Sequence, residues 1–355
     1  MRGGPRMGPN VRGAGSVSSG EMTVITSGVG RPAGVDTEVR STRPYVPTLV
    51  LAATTGWLLW VGADTLMATG RLGATLAGGW TELAGPGFLA VVAAAVVCER
   101  IWPAQRRPLL AAGHIQDACF FVVYASCVVP IMTLLGVAFA SLLGSHAGWM
   151  EATWTASWPL WLLVPLTLVA MDGANWLAHV ADHRITALWR LHGVHHSQEE
   201  LSVLTSFRAH PLVHITGFFL ATIPVLFLMG DRPLAPVLIT AYVCLGTLPH
   251  ANVGWSFGFL GKLLVSPAYH RIHHSVDGPH GANLGIVLTI WDVLASRAVF
   301  PTAQSPVSVT GLVGRPLSVE QTDPRSPLPM LIGQLLEPFG QRPIIDQPTG
   351  PPKTR

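Results

Sequence analysis

The chain has 355 residues, 49% of them hydrophobic and only 12% charged, about half the ~25% charge of ordinary soluble domains, which excludes a conventional water-soluble enzyme. Its net charge is +3 with no arginine or lysine stripe interleaved with aromatics, which excludes a nucleic-acid partner. Cys98, Cys119, Cys127 and Cys244 all lie in apolar runs without a CxxC pair, so neither a disulfide framework nor a thiolate metal site is indicated.

Residues 1–42 are rich in Gly, Ser, Arg and Pro without an apolar period and predict a disordered tail. Apolar runs then recur at 46–69, 83–99, 118–143, 157–178, 212–229 and 233–249, close to the ~20 residues that cross a hydrocarbon core. They predict an all-α, multi-spanning membrane bundle, its N-terminal part covering 43–154. The stretch "GRLGATLAGGWTE" reads as the loop between the first two spans, and spans five and six as a short hairpin turning at "GDRP".

Arg100, Arg106 and Arg107 follow the second span, and Arg184, Arg190 and Arg208 follow the fourth, whereas the loop after the third holds no Lys or Arg. The excess of positive charge in cytoplasmic loops puts both arginine-bearing segments in the cytoplasm. Residues 250–300 predict two amphipathic helices along the membrane face, completing a cytoplasmic, histidine-rich helical cap. Residues 301–355 form a Pro-rich extension with one short apolar stretch, "PMLIGQLLEPFG".

Of the 14 histidines, twelve lie between 179 and 280. "HVADH" supplies His179 and His183; "HGVHH" supplies His192, His195 and His196; "HRIHH" repeats that spacing with His270, His273 and His274. Positions i, i+3 and i+4 share a helix face, and the arginine pattern puts all three clusters on one side of the membrane, where they can converge. Eight imidazoles, plus one or two from His210, His214 or His250, exceed what one metal holds. They suit two metals of four or five protein ligands each, with positions left for oxygen or water. Imidazole serves Zn, Cu, Fe and Ni alike, so the ligands do not name the metal.

Asp172, Trp176, His179 and His183 form one stripe of the fourth span, which makes Asp172 a candidate acceptor for the outer N–H of a metal-bound histidine. A histidine-rich metal transporter or sensor is the alternative function. It would place ligands near the bilayer midplane in broken helices, whereas these sit at helix ends and in the cap.

The order HxxxH, HxxHH, HxxHH resembles the fatty acid hydroxylase / sterol desaturase superfamily of membrane di-iron enzymes. "LVAMDGANWLAHVADH", "LWRLHGVHHSQEELSVLTSFRAHPL", "PHANVGW", "SPAYHRIHHS" and "NLGIVLTIWDVL" carry the likeness over residues 170–340. The resemblance implies a catalytic domain at 155–300 and two iron ions. Their ligands would be His179, His183, His192, His195, His196, His270, His273 and His274, with His250 as the ninth. His210, in "RAHP", is then a ligand or an orienting partner, and Asn283 and Asp292 are further orienting candidates. The implied reaction is hydroxylation or desaturation of a C–H bond in a fatty-acyl, sterol-like or isoprenoid lipid from the bilayer, with O2. The chain carries no dinucleotide fingerprint, iron–sulfur spacing or haem signature, so the electrons require a separate electron-transfer protein at the cytoplasmic face.

Overall fold

The computed structural model describes residues 45–108, 111–146, 152–229, 235–276, 278–279, 281–302, 309–312 and 327–339. The expected tail at 1–42, the "GDRP" turn and most of the 301–355 extension lie outside them. Apart from isolated bridges, the regular elements among the described residues are all helices: α1 (Tyr45–Ala68), α2 (Leu72–Ala84), α3 (Pro86–Ile101), α4 (Ala112–Val123), α5 (Val129–His146), α6 (Leu160–Arg184), α7 (Thr186–His196), α8 (Pro211–Met229), α9 (Ala235–Thr247), α10 (Pro267–His273), α11 (Ile290–Leu294) and α12 (Pro327–Leu336).

Four helical stretches among the described residues are long and apolar enough to cross a membrane: Leu72–Ile101, Ala112–His146, Leu160–Arg184 and Pro211–Met229, with Val237–His250 as a shorter apolar helix. On α6, Trp161, Leu162, Leu166, Val169 and Leu177 stay exposed, an outward apolar face of the kind that hydrocarbon, not water, covers. Pro165 and Pro224 sit inside α6 and α8, as membrane helices tolerate when neighbours re-satisfy the backbone.

The stretch expected to be a loop after the first span is instead α2. Its small residues serve packing: a Cβ at Gly79 would strike the Thr133 hydroxyl on α5, so glycine lets the two backbones approach. Thr81 returns its hydroxyl to the Ala77 carbonyl at 2.8 Å. The third span also starts earlier than its hydropathy suggests. Polar His114, Gln116 and Asp117 occupy the first turns of α4 and are buried, and one π-helical turn, Tyr124–Val128, joins α4 to α5.

Helix ends sort into two levels. At one end Glu99 of α3 accepts the backbone N–H of Val203 (2.6 Å) and Asn252 (2.8 Å). There, too, the Gly113 N–H near the start of α4 bonds Glu200 (2.9 Å). The end of α6, the start of α8 and the end of α9 meet the same cap. At the other end Thr155 donates to the Leu228 carbonyl at 2.8 Å and Trp154 packs on Phe227.

Residues 250–300 do not form the two amphipathic helices expected from sequence. They hold a 3-10 turn at Gly258–Lys262, seven-residue α10 and five-residue α11, joined by irregular backbone. Buried side chains take the N–H groups that a helix would use internally. Asp172 accepts from Val287 and Leu288, both at 3.0 Å. Asp292 accepts from Leu284 (3.0 Å) and Gly285 (2.7 Å).

Candidate metal centre

Ile185, extended at φ −97°, ψ 115°, ends α6 and starts α7. The chain folds back there, so His179 and His183 meet His192 and His196 with ring centroids 4.9 and 4.8 Å apart. Ser266 caps α10 by accepting the Tyr269 N–H at 3.2 Å, with Pro267 at the first helical position, a strong start signal for a short helix. His270, His273 and His274 follow one turn later. His250 closes the 3-10 turn after α9.

Nine buried histidines thus converge in two groups. His179, His183, His192, His196 and His273 form one; His195, His250, His270 and His274 form the other; within each, the candidate ligand atoms lie within 4.8 Å of one another. Each HxxHH triplet is divided. His192 and His196 join the first group and His195 the second, whereas His270 and His274 join the second and His273 the first.

The nitrogen geometry fits metal ions rather than a hydrogen-bond network. The His250 Nε2 lies 3.1 Å from that of His195 and 2.9 Å from that of His270, which lies 3.1 Å from that of His274. One ring nitrogen has one in-plane hydrogen or lone pair, so it cannot serve two neighbours. Two ligands at a right angle on a metal with bonds of ~2.0–2.1 Å sit about 3 Å apart. In the first group His179 and His192, and His183 and His196, approach at 3.1 Å through Nε2.

The outer nitrogens agree. The Nδ1–H of His179 donates to the Leu284 carbonyl (2.8 Å), that of His273 to Ala282 (3.0 Å) and that of His195 to Arg208 (3.2 Å). A carbonyl can only accept, so Nε2 carries the inward lone pair. The His273 Nε2 is buried without any hydrogen-bond partner. Ser206 donates to the Thr247 carbonyl (3.1 Å), leaving its oxygen to accept the His250 Nδ1–H at 2.8 Å. Burial pushes His192, His196, His270, His273 and His274 well below the usual imidazole range, reinforced by the neighbouring rings, and takes His195 down to about 3. These rings are neutral at pH 7, as ligation needs. Removing the Ser206 hydroxyl is expected to weaken metal binding by roughly 10–100-fold; Ser206→Ala would be followed by metal retention during chelator titration, with Ser206→Thr as the conservative control.

Of the expected orienting partners, Asp172 reaches no histidine. Besides the two backbone N–H groups, its carboxylate accepts from Trp291 Nε1 (2.9 Å) and the Tyr242 hydroxyl (3.2 Å). It tethers the segment just after Leu284, whose carbonyl holds His179. Asn283, at φ +57°, donates to the Tyr269 and Val299 carbonyls at 2.9 and 2.8 Å and so fixes the loop between the two carbonyls that accept from His273 and His179. His210 lies in neither group: its Nδ1 accepts the Leu212 N–H at 3.2 Å and its ring packs on Phe339. Asp292 accepts from Trp176 Nε1 and the Tyr269 hydroxyl, both at 2.9 Å.

Sequence reasoning missed the polar layer that braces α7. Buried Arg208 donates to the Val194 carbonyl (3.2 Å), to Ser197 Oγ (2.8 Å) and to Gln116, and lies 3.6 Å from Asp117. Gln198 donates to Asp117 at 2.7 Å and to the Gly113 carbonyl at 3.0 Å. A carboxylate in an otherwise apolar helix, at Asp117, was the available signal.

A cavity of about 250 Å³ runs from the helices to the histidines. Met132, Met171, Val213, Phe218, Ile239 and Val243 give it apolar walls; His179 and His192 of one group and His195, His250 and His270 of the other line it too.

The family model described as Fatty acid hydroxylase matches residues 164–296. An ornithine lipid hydroxylase of Rhizobium tropici is 29% identical over 250 residues, 67% of this chain and 74% of that protein. Alkylglycerol monooxygenases of Danio rerio and Caenorhabditis elegans are 26% and 28% identical over 145 and 153 residues, 40% of this chain in each case and 31% and 27% of those proteins. No solved structure matches the chain.

Proposed function

We propose, from the match of residues 164–296 to the fatty acid hydroxylase model, that this chain is a membrane lipid hydroxylase that holds two iron ions on its two histidine groups. His179, His183, His192, His196 and His273 would ligate one; His195, His250, His270 and His274 would ligate the other. The observation that carries this reading is the apolar cavity ending on histidines of both groups.

When bound, iron supplies the redox chemistry that activates O2 toward an unactivated C–H bond. The balance is R–H, O2, two electrons and two protons giving R–OH and water. The chain's own part is to position and exclude. The apolar walls take up a hydrocarbon chain at roughly 0.8 kcal/mol per buried CH2 and keep bulk water from the reacting carbon. The carbonyls of Leu284, Ala282 and Arg208 hold His179, His273 and His195 in the tautomer that presents Nε2 inward. The electrons come from a separate electron-transfer protein.

The lipid is an acyl- or alkyl-bearing one; the named relatives act on an ornithine lipid and on alkylglycerols. The cap faces the cytoplasm in this reading. Its side carries Arg100, Arg106, Arg107, Arg184 and Arg190, against Arg71 among the described connections of the other side. A transporter is disfavoured because the histidines gather in the cap and not along a midplane path.

Lipid extracts from cells expressing the intact chain under ¹⁸O₂ test the reaction. A hydroxylated lipid carrying the heavy oxygen is expected, and it should be lost with His273→Ala. A product labelled from water, or one unaffected by that substitution, contradicts the reading.

A further inference from the structure

A second cavity, of about 300 Å³, opens beside the end of α3 and shares no residue with the first. Arg100, Arg106 and Arg107 line it, together with Glu99 and Asn252. The one carboxylate is engaged: Glu99 Oε1 accepts from the backbone of both Val203 and Asn252. Arg100 donates to the Arg107 carbonyl at 2.9 Å, and Arg107 reaches Glu200 at 3.4 Å.

Behind Asn252 stands Arg271, only 5% exposed. Its Nη2 donates to Asn252 Oδ1 at 3.0 Å, whereas Nε and Nη1 have no partner. Among the described residues no carboxylate comes within ion-pair distance of it. Glu99 acts on it only through space, so a buried guanidinium with two unpartnered N–H directions remains costly, and three more cationic side chains raise the local potential. This corner of the cap is built for an anion.

Its position says which anion. Trp102 and Trp255 are exposed at the rim, their rings 5.7 Å apart, and exposed Phe257, Phe259 and Leu260 follow on the adjoining loop. Tryptophans at the end of a membrane-crossing helix mark the headgroup level. Phosphate is the abundant anion there, and arginine's planar fork matches its oxygens.

We propose that the cleft of Arg100, Arg106 and Arg107 binds the phosphate of a membrane phospholipid. The bound lipid would dock the cap on the bilayer and set the depth at which the substrate cavity meets the acyl chains. Asn252 links the cleft to the metal region, two residues from His250 and in contact with Arg271 beside His270.

The test uses the full chain purified in detergent, titrated with phosphatidylglycerol and followed by native mass spectrometry. One tightly held lipid is expected, with dioleoylglycerol, which lacks the phosphate, binding far more weakly. The exposed pair Arg100→Gln and Arg106→Gln should weaken retention by roughly tenfold or more while leaving the metal content unchanged. Equal retention by both proteins, or equal binding of dioleoylglycerol, overturns the proposal. Displacement of the lipid by equimolar inorganic phosphate would assign the site to a soluble anion and overturn it as well.

Discussion

Replacing His274 by alanine is expected to leave one metal ion per chain and to lower lipid hydroxylation more than roughly 100-fold. Removing a mere hydrogen-bond partner of a metal ligand costs 10–100-fold, so removing the ligand itself costs more. His274 belongs to the four-histidine group, and three imidazoles remain after its loss. His196 belongs to the five-histidine group, so His196→Ala should keep two metals, one of them loosely held, and still lose activity. The two rings stack at 4.5 Å with 23° between their planes, so each variant also disturbs the contact between the groups. Metal analysis and turnover on the same preparations separate the two effects. Full activity in either variant contradicts the assignment.

Asp292→Ala is expected to destabilise the protein by about 4 kcal/mol, since each buried donor left unsatisfied costs ~1–3 kcal/mol. Four donors converge on this carboxylate: Trp176 Nε1, the Tyr269 hydroxyl and the backbone N–H of Leu284 and Gly285. At the scale of this chain the loss corresponds to a fall in Tm of about 5 °C in detergent. Because the Leu284 carbonyl holds His179, metal retention should fall with it. Asp292→Asn keeps two acceptor directions and should lose less. An unchanged Tm in the alanine variant would show that the loop holds without its carboxylate.

The apolar spans were legible in the sequence because hydrocarbon demands runs of fixed length and little else. The nine histidines singled out by spacing and resemblance are the nine that the structure gathers. How they divide was not legible. Sharing a helix face suggests that His192, His195 and His196 act together. Yet consecutive residues diverge by about 100° around a helix, so neighbouring His195 and His196 point to different groups, as do His273 and His274. The same helix stripe aimed Asp172 at the histidines; the structure turns it to Val287, Leu288, Trp291 and Tyr242, more than a hundred residues away in three of the four cases. The irregular backbone at 281–289 escaped for the same reason. Its shape comes from Asp172, Asn283 and Asp292 acting across the fold, and no local period records that. α2 was hidden by its glycines and threonines, which favour turns in water but close helix packing in lipid.

The central claim is that one chain carries two iron ions, one on each histidine group. Iron per chain, measured on the intact protein purified in mild detergent after iron-supplemented growth, tests it most directly. The expected result is two, falling to one when His195 and His270 are both replaced by alanine. A value of one that is indifferent to the loss of either group would contradict the account.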